Sequence, residues 1–249
     1  MSRTMAVVQP KEVAPGTKTS YARRLGGQSL LERLVRRLTD CERLDGVVVV
    51  IPNDAQAESI ADLVPRDVPV YVSKRPDSLG RLCDVVDCYR PDAVVQVPAC
   101  RLFVDPNLVD RLVITAADHP TFDYIGYCSR DGRPSILSPL GVFTEWCASD
   151  AIRRTESLAV TRKDRDQPTR FLYSHPELFR LRLLPAPAEL DRDDLRLTVD
   201  HEEDWHHLHT FFDVLGAEGF DWRRIAELLD QHPAVRQRMA TLNRTPAAA

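Results

Sequence analysis

Apolar residues along this chain fall into short, dense runs separated by stretches in which they recur at helical spacing. Met5–Gln9 is a short apolar run followed by Pro10 and reads as a first strand that ends in a loop. From Gly27 to Asp40, Leu30, Leu31, Leu34, Val35 and Leu38 recur every three or four residues, which predicts a helix. Gly46–Ile51 is a continuous β-branched run, as expected of a strand buried on both faces of a parallel sheet. The alternation continues with a helix over Ala55–Leu63, a strand over Val68–Ser73, a helix over Ser78–Tyr89 and a strand over Ala93–Val97. Asp105–Ala117 reads as a helix opened by Asp105-Pro106, with proline in a favoured first-turn position. Phe122–Gly126 and Leu137–Phe143 read as further strands. The second half is less regular: Thr155–Gln167 is charged and reads as a surface loop. Phe179–Leu184 and Leu195–Val199 read as strands, and Glu202–Leu215 and Trp222–Asp230 as helices.

This βαβα order predicts an α/β fold of three layers, a mostly parallel twisted sheet with helices on both faces. The expected organisation is one domain over residues 1–243 with a frayed tail at 244–249, two packed subdomains being the weaker alternative. At 249 residues the chain is long enough to bury a full core. A formal net charge of −4 gives no general basis for nucleic-acid binding, which needs a basic surface. No apolar run approaches the roughly 20 residues of a membrane span, and the first residues are too weakly apolar for a secretory signal, so a cytoplasmic location is expected. The six cysteines form no C-x-x-C pair, which removes the usual zinc spacing; most are expected to be reduced and buried.

In open α/β sheets ligands bind beyond the carboxyl ends of strands. That rule selects the loop after Gln9, the residues after Val97, and Asp200 after Leu195–Val199. The chain also resembles a known family at these places. Arg196, Thr198, Asp200 and Asp204 match an R-x-T-V-D-x-x-x-D pattern, and Asp77-Ser78-Leu79-Gly80-Arg81 stands where D-V-L-D-R is usual. Leu25-Gly26-Gly27 leads into the first helix, and Asp105-Pro106 follows the fourth strand. Arg165, Thr169 and His175-Pro176-Glu177 follow an R-E-H-x-T…N-P-E order, and Asn243 lies near a closing asparagine. In these motifs and their spacing the chain is similar to the cytidylyltransferases of spore-coat polysaccharide synthesis and to CMP-Kdo synthetase, which have a nucleotide-diphospho-sugar-transferase fold.

The resemblance implies a nucleotidyltransferase that moves CMP from CTP to a sugar or small acid and releases pyrophosphate, with Mg²⁺ as cofactor. It implies catalytic roles for Lys11 and Arg81, nucleotide contacts from Gln9, Lys11, Lys18, Arg23, Arg81 and Cys100, and a metal-ligand role for Asp200. It also implies a homodimer, or pairing with an active enzyme of the same pathway. Several positions depart from the pattern. Lys11 replaces the first arginine of the phosphate loop, Val13, Ala14, Pro15 and Gly16 replace G-S-T-R, Ser20 replaces a lysine, and Asp166-Gln167 replace E-H. Cys100 stands where the family has an aspartate that helps hold Mg²⁺, a hard cation for which a thiol is a poor ligand. These losses open an alternative: a catalytically degenerate relative serving as a binding or assembly subunit.

Blander readings stand beside these. Asp200 suits a helix N-cap. Cys100 suits a buried strand end better than a reactive thiol, and Arg81 suits pairing with Asp77 or Asp84. Lys11 and the basic loop residues suit a solvated loop, and His206, His207 and His209 lack a third ligand at zinc spacing and suit a solvated helix face. Asp191-Arg192-Asp193 spells the D-x-D of glycosyltransferases but lies in a loop-like acidic stretch.

Overall fold

The computed structural model describes residues 2–10, 20–200 and 202–244. Strand β1 (Thr4–Gln9) is buried along its whole length. Beyond Ser20–Ala22, a tight hairpin pairs β2 (Arg24–Leu25) with β3 (Gln28–Ser29). Gly26 and Gly27 form its two-residue turn at φ +55° and +85°, a conformation in which both central residues need positive φ. The helix predicted from Gly27 therefore starts later: α1 runs Leu30–Thr39, and the Ser29 hydroxyl accepts the Glu32 N–H at 3.0 Å as its N-cap.

Strand β4 (Gly46–Pro52), helix α2 (Ala57–Ala61), strand β5 (Val70–Ser73), helix α3 (Ser78–Tyr89), strand β6 (Ala93–Pro98) and helix α4 (Pro106–Asp118) follow in the predicted alternation. Then come β7 (Tyr124–Cys128), β8 (Glu145–Ala148), α5 (Ser149–Leu158), α6 (Arg162–Asp166), α7 (Arg170–Ser174), β9 (Leu181–Pro185), α8 (Glu202–Leu215), α9 (Trp222–Asp230) and α10 (Pro233–Arg244). Seven strands form one sheet in the order β5-β4-β1-β6-β8-β7-β9. Among the described residues only β8 runs against its neighbours; β1, β4, β5 and β6 pair in parallel, as do β7 and β9.

The core divides by the period-two alternation of the strands. Ala6, Val8, Val49 and Val95 face one side, where α1, α4, α8 and α9 pack. Met5, Val7, Val48, Val50 and Val94 face the other, against α3, α5 and α7. Both faces are covered, which is why the central strands read as unbroken Val/Ile runs.

Three expectations are corrected. Leu137–Phe143 is not a strand. Its place in the sheet is taken by β8, and the chain turns at Gly141, φ +72°, where an added Cβ would lie 3.1 Å from the Leu197 carbonyl oxygen. Thr155–Gln167 is not a loop: α5 buries Ala151, Ile152 and Thr155, and α6 is capped by the Thr161 hydroxyl. Its charges pair across the surface, as in Arg154–Asp123 and Arg165–Asp77. Leu195, Leu197, Thr198 and Val199 are buried, but among the described residues the segment joins no strand; its amides bond to loop carbonyls, Leu197 and Thr198 to Pro139 and Val199 to Cys100. Among the described residues no helix is long and apolar enough to cross a membrane.

Candidate functional site

Strand order reverses at β1. Strands β4 and β5 lie on one side of it and β6 on the other, so a crevice opens beyond the carboxyl ends of β1 and β6. The backbone ties three segments together there. The Ala99 N–H donates to the Gln9 carbonyl at 3.2 Å, and the Val199 N–H to the Cys100 carbonyl at 3.4 Å. Gln9, Cys100 and Asp200, chosen from separate parts of the sequence, thus meet at one junction. Lys11 and Lys18 lie outside the described residues, as do Val13–Gly16.

Gln9 is buried, and its amide is fixed by donation from Nε2 to the Ser78 carbonyl at 3.2 Å. Its Oε1 has no hydrogen-bond partner among the described residues. Asp200 is close to half exposed, with Arg196 Nη2 3.5 Å from its Oδ2. Among the described residues its carboxylate accepts no amide of α8. The capping contact runs the other way: Asp204 Oδ2 accepts the Asp200 N–H at 3.0 Å. Asp204 is itself buried and holds Arg196 through two bonds of 2.6 and 3.0 Å. Of the paired carboxylates in R-x-T-V-D-x-x-x-D, one faces solvent at the junction and the other braces the fold.

Arg81 and Arg23 are held by protein groups. The buried Arg81 guanidinium donates to the carbonyls of Arg75 and Pro76 at 3.4 and 3.1 Å and to the Ser78 hydroxyl at 3.2 Å. It thereby fixes the loop that enters α3, on which Gln9 also rests. Asp77 caps Gly80 and pairs with Arg165, while Asp84 takes Ser73 and Arg75. Arg23, near the hairpin, makes a bidentate pair with Glu202 and lies 5.0 Å above the Trp205 ring. The structure brings it against α8.

The other matched motif residues act on packing. Asp105 caps α4 through Asn107 and accepts the Trp222 indole N–H at 2.7 Å. Asn243 donates to the carbonyls of Asp193 and Leu195. Thr169 donates at 2.6 Å to Glu145, which also accepts the Tyr124 hydroxyl at 2.6 Å. Glu145 lies fully buried in β8, and no motif pointed to it. Burial pushes its carboxyl up, against the opposing pull of the Thr169 and Tyr124 hydroxyls and Arg101. This group binds its proton more tightly folded than unfolded. Its penalty is therefore absent below the ordinary glutamate range and complete above the raised folded value. Stability of wild-type protein should fall with rising pH through that window, and Glu145→Gln should flatten the slope; chemical denaturation across the acidic range measures both.

Each histidine of α8 has a local environment of its own. His206 contacts the Glu202 carbonyl, His209 contacts Asp213, and His207 stacks on Phe211, where burial lowers its pKa. No cluster of three or more His, Cys, Asp or Glu side chains able to hold a metal occurs among the described residues. Of the cysteines, Cys41, Cys83 and Cys147 are buried, Cys88 is exposed, and Cys100 and Cys128 are half-buried. Burial pushes the Cys41 thiol up to about 12.

A MobA-like NTP transferase domain matches residues 21–204, well over half of the chain. The chain belongs to this nucleotidyltransferase family. It is 22% identical over 223 residues to the spore coat polysaccharide biosynthesis protein SpsF of Bacillus subtilis, covering 87% of this chain and 89% of that one. Its fold matches a cytidylyltransferase from Leptospira borgpetersenii at a TM-score of 0.80 with 18% identity, over 99% of this chain and 98% of that one. It also matches CMP:2-keto-3-deoxy-manno-octonic acid synthetase complexed with CTP at a TM-score of 0.63 with 9% identity, over 85% and 99% of the two chains. The fold expected from the sequence is the fold of these neighbours.

Proposed function

We propose that this protein transfers CMP from CTP to an acidic sugar or other small acid. The observation that supports this most is the junction of Gln9, Cys100 and Asp200 at the carboxyl ends of β1 and β6, in a chain of nucleotidyltransferase family and cytidylyltransferase-like fold. In the reaction an acceptor oxygen attacks the α-phosphorus of CTP. The new P–O bond forms as the bond to the α,β-bridging oxygen breaks, its electron pair leaves with pyrophosphate, and the acceptor proton passes to solvent. Protein groups contribute by position and charge. The buried Arg81 and the Gln9 amide hold the loop entering α3 against the end of β1.

Mg²⁺ is proposed as the cofactor. The donor set at the junction is one exposed carboxylate, Asp200, and one thiol, Cys100. Such a set fits a cation that arrives on phosphate oxygens and takes a single carboxylate, and it does not fit one caged by protein alone. When bound, the ion would neutralise charge on the phosphate oxygens.

The second reading, a binding or assembly subunit without turnover, draws support from the same junction, where sulfur replaces a carboxylate and Arg196 lies beside the remaining one. Calorimetric titration with CTP and Mg²⁺, followed by pyrophosphate release over a panel of acidic sugars, separates the two. Heat and turnover are expected. CTP binding without turnover, with turnover gained in Cys100→Asp, would favour the second reading, and absence of heat with every nucleoside triphosphate would end the first.

A further inference from the structure

A groove of about 540 Å³ lies beyond the carboxyl end of β7, between the turn after Cys128, the segment before β8 and the loop after β9. That volume suits a small molecule. Its wall is built on the junction described above. Arg101, the residue after Cys100, is buried and donates to the carbonyls of Ser138, at 3.1 Å, and Ile136. Pro139, on the same wall, accepts the amides of Leu197 and Thr198 at 2.8 and 3.0 Å. Thr198 is two residues from Asp200, and two residues span at most about 7 Å, so the groove wall at Pro139 lies on the order of 10 Å from the Asp200 backbone.

The lining has mixed chemistry. Leu137 and Pro139 give an apolar surface, and Leu137 is 57% exposed although apolar. Asp131 and Asp193 supply carboxylates, and Asn243, whose Nδ2 is committed to two carbonyls, has an Oδ1 without a partner among the described residues. Arg133 supplies a cation. Its guanidinium is 76% exposed and 3.8 Å from Asp131, a pair too long and too exposed to bind it firmly. By contrast, Arg130 beside it is tied to Asp191 by three bonds. An apolar face for ring C–H groups, acceptors for hydroxyls and one loosely held guanidinium form a set that matches a polyhydroxylated carboxylic acid.

We propose that this groove is the acceptor site, that it takes a sugar acid, and that Arg133 binds the carboxylate; this rests on the transferase reading given above. The ring lies on Leu137 and Pro139, and its reacting oxygen points along the wall toward Asp200. Saturation-transfer NMR with 2-keto-3-deoxy-manno-octonic acid as probe, mannose as neutral control and a parallel CTP titration tests the assignment. Arg133→Gln and Leu137→Glu change exposed positions, so both variants should keep the wild-type melting temperature. Each is expected to weaken the acid by about tenfold or more, the scale of one lost hydrogen bond to a charged group, and to leave CTP affinity unchanged. Wild-type protein that binds CTP but not the acid, or that binds mannose as well as the acid, overturns the assignment and leaves the transferase reading in place. So does acid affinity equal to wild type in both variants. Absence of CTP binding overturns the transferase reading, and with it the groove's role as an acceptor site.

Discussion

Arg196→Ala should lower the unfolding free energy by about 3–5 kcal/mol, the cost of leaving one partner of a buried ion pair uncompensated. Arg196 and Asp204 expose 9% and 2% of their side chains and are joined by bonds of 2.6 and 3.0 Å. With the guanidinium gone, Asp204 keeps the Asp200 N–H at 3.0 Å but loses both charge-assisted bonds to Arg196 while its carboxylate stays buried. For a chain of this size the loss corresponds to a fall in melting temperature on the order of 10 °C. The double variant Arg196→Met, Asp204→Leu should recover most of it, because an apolar pair of similar volume carries no desolvation penalty. Thermal and denaturant unfolding of the three variants decide this. Equal stability of Arg196→Ala and wild type would mean that the pair does not brace the segment before α8.

The same pair shows how much of the site could be read from the order of residues. The pattern R-x-T-V-D-x-x-x-D marks the segment, but residue identity alone does not say which aspartate faces solvent. That depends on the helical phase of α8, which turns Asp204 inward to Arg196, while Asp200, ahead of the helix, stays at the surface. Arg165, Thr169, Asp105 and Asn243 are similar cases: matched by motif, they hold Asp77, Glu145, Trp222 and the carbonyls of Asp193 and Leu195. Fold-bearing and chemistry-bearing residues keep the same spacing, so a motif does not separate them.

Elements were legible where one physical signal dominated. The Val/Ile runs of β1, β4 and β6 are buried on both sides, and the Asp77 and Asp105 caps mark the starts of α3 and α4. Strand β8 was not legible. It has four residues and its first is Glu145, a carboxylate whose burial depends on Tyr124 and Thr169, residues far away in sequence. The apolar run before it has the stronger strand pattern, although Pro139 and Gly141 serve there as a carbonyl acceptor and a close backbone approach to the 195–199 segment. The hairpin of Arg24–Leu25 and Gln28–Ser29 is hidden for another reason: two glycines ahead of a helix-periodic run suit the approach to a helix as well as a turn, and here they are the turn.

Asp200→Asn should reduce turnover by about 10²–10³-fold, the usual effect of deleting one electrostatic contribution to a transition state, while stability changes by no more than about 0.5 kcal/mol. The two halves of this expectation have separate causes. The Asp200 side chain is 45% exposed, and its ion pair with Arg196, at 3.5 Å, is long; surface pairs of this kind contribute little to folding. Its neighbour Asp204, not Asp200, carries the structural bonds. At the junction, however, Asp200 is the carboxylate a metal–triphosphate would meet, since residue 100 offers sulfur. Asparagine keeps the shape and one carbonyl oxygen but removes the charge. The loss should therefore appear in Mg²⁺ dependence, with saturation moved to higher cation concentration, and CTP affinity without metal should be unchanged. Pyrophosphate release measured against Mg²⁺ concentration, beside a melting curve for each protein, reads both halves. Turnover preserved in Asp200→Asn would remove the carboxylate from the reaction and transfer charge neutralisation to basic groups alone.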